Sequence, residues 1–403
     1  MMTVVSRLGM REVNSEQVLR AILREGPLAR VDLARHVGLT TAAISNITRE
    51  LIESGLLVET GTARGHRVGA NSILLDFPEH GIVLGVVHQG VSAMRVALST
   101  LRGRIIARRV IATPERYSPE WAVAAIDQAL RELLSALGYS DEALAALGVG
   151  LVGLIDINQG IVKRAPRMGW ENVPVRDMLE QRLARPVAIE NNVRAMALGE
   201  VLLGDGQNWP DFAFVYIGTG IGSGLIINGR LYRGSHGGAG EIGHITVDPN
   251  GEQCSCGNYG CLETIAAEPA IVRNARLHGI TLDTADGGTK EAVRRLALLA
   301  RQGDERACAV IATCGEFLGI ALATLVDILN SSRIVLHGAI TQAGDIFFSP
   351  VEQCLRRRAF LSRDETVTLV APTFGDDAGL AGAAAVALDT FILNGSLKAG
   401  ITS

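Results

Sequence analysis

The stretch EIGHITVDPNGEQCSCGNYGCLE, from Glu241 to Glu263, decides how this chain is read. One imidazole and three thiols fall at zinc-ligand spacing between two carboxylates. His244, Cys254, Cys256 and Cys261 are the donor set of a closed tetrahedral structural site, and Gly257 and Gly260 permit a tight loop around a single ion. Four protein ligands leave no open position for water. The spacing therefore points to one structural Zn2+ per chain that braces His244 and Glu263, as against three thiols that cluster without metal. Acids and an oriented imidazole side by side suit a polyhydroxylated small molecule, because each hydroxyl offers one donor and two acceptor sites.

Outward from this stretch, 403 residues exceed a single core and imply two or three domains at roughly 150 residues each. Apolar content is ample and charge is ordinary. Phe317–Leu329, among the longest apolar runs, is interrupted by Asp327 and falls short of the roughly 20 residues of a membrane helix, so no membrane association is expected. The N-terminus runs directly into polar residues, without the pattern of a signal peptide. Cys308, Cys314 and Cys354 are scattered through helical sequence and read as small buried hydrophobes in a reducing cytoplasm.

Residues 1–72 carry nine arginines against seven acids, a balance of +2 that leaves −6 on the remainder of a chain whose net charge is −4. So small an excess says little by itself, and the argument for nucleic acid rests on arrangement. Val18, Leu19 and Ile22 form a helical stripe, Pro27 interrupts it, and Val31, Leu33, Ala34 and Val37 begin a second helix closed by Gly38. Thr40 is positioned to cap a third helix whose Ile44, Ile47 and Leu51 face a core. Its opposite face presents Thr41, Ser45, Asn46 and Arg49, short polar residues and one arginine suited to a major groove. A hairpin from Gly61 to Gly69 follows, carrying Arg64, His66 and Arg67, and reads as a wing toward the DNA backbone or minor groove. The alternative is a helical adaptor for dimerisation whose arginines are solvated.

From about Ile82 onward, short apolar strands ended by glycine alternate with helices, as in Ile82–Val87, Ala146–Val152 and Phe212–Ile217, an α/β pattern. Gly218-Thr-Gly-Ile-Gly-Ser-Gly224, Gly237-Gly-Ala-Gly-Glu-Ile-Gly-His244 and the cysteine loop ending in Cys261-Leu-Glu263 closely resemble the signature of the ROK family (repressors, open reading frames, kinases). With the N-terminal module the chain is similar to that family's sugar-responsive repressors. The resemblance runs from about Ser15 to Leu393 and includes Gly148–Trp170 and Gly375–Ala384. It implies a winged helix-turn-helix over residues 1–75 followed by a two-lobed actin-like, sugar-kinase-like (ribonuclease H-like) α/β fold. The first lobe would span 80–196, with a C-terminal helix at 376–395 returning to it, and the second lobe 197–375 with the zinc loop.

The family's kinases need an acidic glycine-rich phosphate loop after the first strand, where this chain has His88-Gln89-Gly90-Val91. They also need a catalytic Asp in Asn-Asp-Ala-Asn; here Glu190-Asn191-Asn192-Val193-Arg194 places Asn192 there, and a carboxamide is too weak a base to take a hydroxyl proton. His337-Gly338-Ala339 departs from the family's third nucleotide loop, and Gly218–Gly224 reads as a tight β-turn. No catalytic residue is therefore assigned.

The residues that the resemblance carries over for sugar contact are Asn191, Asn192, Glu241, His244 and Glu263, lining a cleft. Arg167 stands where the family often has Asn, which would favour an acidic or phosphorylated sugar or simply pair with a nearby acid. The expectation is a cytoplasmic regulator, most simply a repressor, that binds double-stranded operator DNA as a homodimer or homotetramer and responds to a sugar effector. The competing expectations are a sugar kinase with an appended DNA-binding module and a binding scaffold without a DNA role.

Overall fold

A computed structural model describes residues 7–64, 71–114, 116–285, 287–360 and 367–393. The chain divides into two compact units. The first holds residues through Ala195, Leu202–Gln207 and the chain from Gly379; the second holds Met196–Val201 and Asn208–Ala378.

In the first unit the N-terminal module comprises α1 (Arg7–Glu25), β1 (Leu28–Ala29), α2 (Arg30–Val37), α3 (Thr41–Glu53), β2 (Val58–Arg64) and β3 (Asn71–Asp76). Gly38 ends α2 in the left-handed region at φ 69°. The Thr40 side chain accepts from the Ala43 N–H at 3.2 Å and so caps α3, as its short hydroxyl predicts. Val18, Leu19, Ile22, Leu33, Ile44, Ile47 and Leu51 are buried together with Leu56 and Leu57. Strands β1, β3 and β2 form an antiparallel sheet in that order. The hairpin differs from the expected Gly61–Gly69: Gly61, at φ 66°, is a bulge inside β2 where the register shifts between Glu59 and Thr62, and the strand continues to Arg64.

The rest of the first unit is built on β4 (Val83–Gln89), β5 (Ala93–Ser99), β6 (Ile105–Ala112), α4 (Pro119–Ala136) and β7 (Leu144–Leu151). A small antiparallel sheet of β8 (Leu154–Asp156), β9 (Ile161–Ala165) and β10 (Trp170–Val173) comes next, then α5 (Val175–Leu183), β11 (Val187–Asn191) and α6 (Asn192–Leu203), whose Met196–Val201 belong to the second unit. The main sheet runs β11-β7-β4-β5-β6, with β4, β7 and β11 parallel and β4, β5 and β6 an antiparallel meander. The parallel strands read as continuous apolar runs because both their faces are covered.

The second unit repeats the plan. Strands β12 (Phe212–Ile217), β13 (Ile221–Ile227) and β14 (Arg230–Tyr232) form the meander, and β15 (Arg333–Gly338) and β16 (Thr368–Val370) add in parallel to give β14-β13-β12-β15-β16. Its helices are α7 (Glu263–Ala266), α8 (Glu268–Leu277), α9 (Gly288–Arg301), α10 (Glu305–Leu329) and α11 (Asp345–Arg358). The final helix, α12 (Ala378–Ala387), passes into a π-helical turn, Leu388–Leu393. The two sheets share the same order and sense, which is the expected doubled sugar-kinase-like pattern.

Helix α10 corrects the membrane arithmetic. With 25 residues it is long and apolar enough to cross a bilayer, because the apolar run extends back through small residues to Glu305. Its Val310, Ile311, Cys314, Leu318, Leu322 and Val326 are buried in the core of the second unit, so its hydrophobicity is accounted for by packing.

Candidate functional site

Gly240 and Gly243, within Gly237–His244, are explained by closeness to β13. A Cβ on Gly240 would lie 2.4 Å from the Ser223 carbonyl oxygen and one on Gly243 2.2 Å from that of Ile221. The chain is thereby pressed flat against the strand, and Ser223 fixes it by donating its backbone N–H and its hydroxyl to the Gly240 carbonyl at 3.0 and 2.7 Å. Glu241 and His244 follow directly, Glu241 exposed and His244 half-buried.

The cysteine loop returns beneath them. Gly257 and Gly260 sit at φ 96° and 60°, and a Cβ on Gly260 would fall 1.6 Å from the Asp248 carbonyl oxygen, so only glycine fits. The backbone N–H groups of Val247 and Leu262 close the loop onto the carbonyls of Gly260 and Ile245 at 2.9 and 3.0 Å. His244, Cys254, Cys256 and Cys261 bring their ligand atoms within 4.8 Å of one another. Cys254 Sγ is 3.6 Å from His244 Nδ1, and Cys256 Sγ is 3.7 Å from Cys261 Sγ. A tetrahedron with Zn–S of about 2.3 Å and Zn–N of about 2.0–2.1 Å requires ligand separations of roughly 3.6 Å for S···N and 3.8 Å for S···S, so the set fits zinc. Nδ1 is the nitrogen facing the cluster, which leaves Nε2 as the proton-bearing donor once Nδ1 holds a metal. Burial pushes the Cys261 thiol up to about 12 and raises that of Cys254, whereas the backbone N–H of Asn258 holds the exposed Cys256 below its ordinary value. Buried thiols of that kind keep their protons until a cation replaces them.

Glu263 is half-buried at the start of α7, its Oε1 3.7 Å from Cys254 Sγ. Its other oxygen lies where a Cβ on Gly220 would be only 2.7 Å away. Gly218–Gly220 is the turn of the β12–β13 hairpin, closed by Gly218 N–H to the Gly220 carbonyl at 2.9 Å, as the tight-turn reading expects. The turn is thus glycine-rich where a carboxylate rests on it.

In the first unit Asn191 ends β11 and Asn192 begins α6. Asn191 Oδ1 accepts from the backbone N–H of Val193 and Arg194 at 3.0 and 3.3 Å, and its Nδ2 donates to the Gly153 carbonyl at 3.1 Å. Its carboxamide is therefore a helix cap first. Beneath it, Glu190 and Arg194, exposed by only 1% and 2%, pair at 3.0 Å and set the turn, a feature that sequence reasoning missed although the i, i+4 spacing was visible. His88, at the end of β4, packs its ring against Gly379 of α12, and Gln89, buried, donates to the Tyr117 hydroxyl at 2.9 Å. Tyr117 anchors the turn that carries Arg167: its hydroxyl meets Met168 Sδ at 3.1 Å and its carbonyl accepts from Trp170 Nε1 at 2.9 Å. Arg167 itself is exposed.

On α3, Thr41, Ser45, Asn46 and Arg49 are all exposed on one face, and Arg49 Nη2 donates to Asn46 Oδ1 at 3.0 Å. Arg64 ends β2; His66 and Arg67 lie outside the described residues. Sequence reasoning also missed Arg30, which donates to the Thr48 hydroxyl at 3.1 Å and pairs with Glu59 at 2.9 Å, tying α2 and α3 to the first wing strand.

Comparison with known proteins gives the same division. Residues 12–58 match the winged helix-turn-helix DNA-binding family and residues 84–390 the ROK family. The chain is 32% identical over 358 residues to the DNA-binding transcriptional dual regulator NagC of Escherichia coli, covering 87% of this chain and 86% of that protein. It is 28% identical over 392 residues to the xylose repressor of Caldicellulosiruptor bescii, covering 95% and 97%. Among solved structures, a ROK family transcriptional regulator homologous to E. coli MLC superposes with a TM-score of 0.81 at 30% identity over 96% of this chain and 98% of that one. A ROK family glucokinase from Streptomyces griseus, in complex with glucose and AMPPNP, gives 0.64 at 30% identity over 75% and 98%. With the doubled sheet, the glycine-pressed Gly237–His244 segment and the loop of one histidine and three cysteines in place, the chain belongs to the ROK family and carries that family's domain behind a winged helix-turn-helix.

Proposed function

We propose that the chain is a cytoplasmic transcriptional repressor, a homodimer or homotetramer that binds double-stranded operator DNA and changes its operator affinity when a sugar or sugar derivative binds the ROK domain. The observation that carries this reading is the joining of a winged helix-turn-helix and a ROK domain in one chain, with similarity across both parts to a ROK transcriptional regulator. The exposed face of α3, with Thr41, Ser45, Asn46 and Arg49, reads bases and phosphates in the major groove, while Arg64, His66 and Arg67 of the wing engage the backbone or minor groove. Asn191, Asn192, Glu241, His244 and Glu263 bind the sugar hydroxyls. One structural Zn2+ on His244, Cys254, Cys256 and Cys261 holds His244 and Glu263 in register with each other, and the remaining His244 nitrogen donates to a hydroxyl.

Kinase activity is not part of this reading, although the likeness to the S. griseus glucokinase gives the alternative its one specific support. Asn192 cannot accept a proton from a hydroxyl, and absence of a general base alone lowers a rate about 10²- to 10⁴-fold. The sugar instead shifts a population between states of different operator affinity, release being the proposed polarity.

The test is a thermal-shift screen of purified protein over neutral, amino, acidic and phosphorylated sugars, followed by gel shift on duplexes selected in vitro by the protein itself. A sugar at about a hundred times its dissociation constant adds about 2.7 kcal/mol of stability, and it should alter duplex retention without ATP. ATP-dependent phosphorylation of that sugar well above background would instead favour the kinase.

A further inference from the structure

In the first unit, α1 lies against the π-helical turn Leu388–Leu393. There Arg20 donates from Nε to Glu16 at 2.8 Å and from Nη2 to Asp389 at 2.7 Å. Burial opposes the guanidinium charge, but the two carboxylates outweigh it and raise its pKa. The turn is the direct continuation of α12, which is seated on the main sheet through small residues. A Cβ on Gly148 of β7 would meet the Ala383 carbonyl oxygen at 2.0 Å, and one on Gly379 would meet the His88 ring at 2.4 Å. A helical rod, about 24 Å long at about 1.5 Å per residue, thus runs from the main sheet to α1.

A second arginine also holds the module. Arg102, in the turn between β5 and β6, donates from Nε to Asp76 at 3.0 Å and from Nη2 to the Ile22 carbonyl at 3.3 Å. Its guanidinium lies 5.9 Å from the centroid of the Phe77 ring, which is 2% exposed. Asp76 ends β3 and Ile22 belongs to α1, so one side chain engages the first helix and the last strand of the module. The connecting segment 77–82 consequently begins with a buried anchor.

We infer that Arg20 and Arg102 fasten the winged module to the first ROK lobe as one rigid body, so that the segment 77–82 acts as a strut and movement of that lobe reaches α3 undiminished. A flexible tether would behave differently. Six residues at about 5–6 Å × √n sweep roughly 13 Å, enough to let the recognition helix search independently of the lobe. The clamp replaces that search with a fixed orientation, which makes Arg20 and Arg102 positioning residues that touch neither DNA nor sugar.

The experiment uses the full chain, without DNA or sugar. Spin labels are carried on ketone-bearing unnatural residues at Glu53 of α3 and Ala124 of α4, both exposed, with labelled chain diluted in unlabelled chain. The distance distribution by double electron–electron resonance should be narrow in the otherwise unmodified protein and about threefold broader in Arg20→Gln/Arg102→Gln, given the tether's sweep of roughly 13 Å. If that variant fails to fold, Asp389→Ala/Arg102→Gln removes the Arg20–Asp389 and Arg102 contacts without altering α1, and the same broadening is expected. A broad distribution in the unmodified protein, or an unchanged narrow one in the folded variant, overturns the inference. Either result leaves the DNA reading standing, because that reading fails only if no duplex is selected.

Discussion

Gly243→Ala isolates the claim that the metal loop is held by close backbone packing. The added Cβ would sit 2.2 Å from the Ile221 carbonyl oxygen, whereas real Cβ contacts stay above 3.0 Å, so strand or loop must give by about 0.8 Å. Overpacking of this kind typically costs about 1–3 kcal/mol. The larger effect falls on the next residue. His244 Nδ1 stands 3.6 Å from Cys254 Sγ, close to tetrahedral spacing, and metal–ligand distances tolerate only about ±0.2 Å. A displacement four times that tolerance should weaken zinc binding at least as much as loss of an outer-shell partner, about 10- to 100-fold. Competition against a chromophoric chelator measures this directly. Gly26→Ala is the control, since its added Cβ meets nothing within 4 Å and it lies in the winged module; its φ of +87° adds a backbone strain that Gly243 does not have, so any general cost of the substitution is not underestimated. Zinc affinity in Gly243→Ala equal to that of the control would refute the argument that the glycines of Gly237–His244 exist to seat the ligand histidine.

Zinc affinity should fall steeply as the pH is lowered, because Cys254 and Cys261 are held protonated by burial and must lose their protons to bind; two or three protons released per ion give a drop of about 10²- to 10³-fold per pH unit below the thiol range. The sign is fixed by the raised pKa values: acid favours the metal-free thiols, and chelator titrations at pH 8 and pH 7 would expose a flat response if the thiols were not ligands. Arg194→Met removes the opposite charge from the buried Glu190 carboxylate, which keeps the Asn191 N–H at 2.8 Å, and should cost about 3–5 kcal/mol, read as a fall in the urea midpoint of the unit that contains it. Thr40→Ala removes the α3 cap and should cost about 1 kcal/mol, with a matching loss of selected-duplex affinity only if α3 is the recognition helix.

The parts legible in the sequence are those written in local periodicity or spacing. Ile44, Ile47 and Leu51 repeat at helical intervals behind a Thr40 cap, and α3 follows from those four residues. The ligand cluster follows from four side chains within eighteen residues, because a loop that short with two obligatory glycines has few ways to close. What escaped lies in pairings that leave no periodic trace. Arg20 and Asp389 are 369 residues apart, and nothing near either marks it as a partner. The Arg30–Thr48–Glu59 contact joins three elements, and each of its residues taken alone looks like ordinary surface. Gly61 reads as the start of a turn because a glycine in a strand and a glycine in a turn are the same letter; the register shift that makes it a bulge exists only against β3. Asn191 shows the converse, since the position is legible but its carboxamide is engaged in capping α6.

The central claim is that a sugar controls DNA binding through a ROK domain that no longer transfers phosphate. Its most direct test is one titration: full-length protein on its selected duplex, nucleotide absent, with fluorescence anisotropy followed as each stabilising sugar is added. The account predicts that at least one sugar changes duplex affinity by about 5- to 150-fold, the usual span of allosteric coupling. Unchanged affinity across every sugar that demonstrably binds, or a change that appears only when ATP is supplied and consumed, would contradict it.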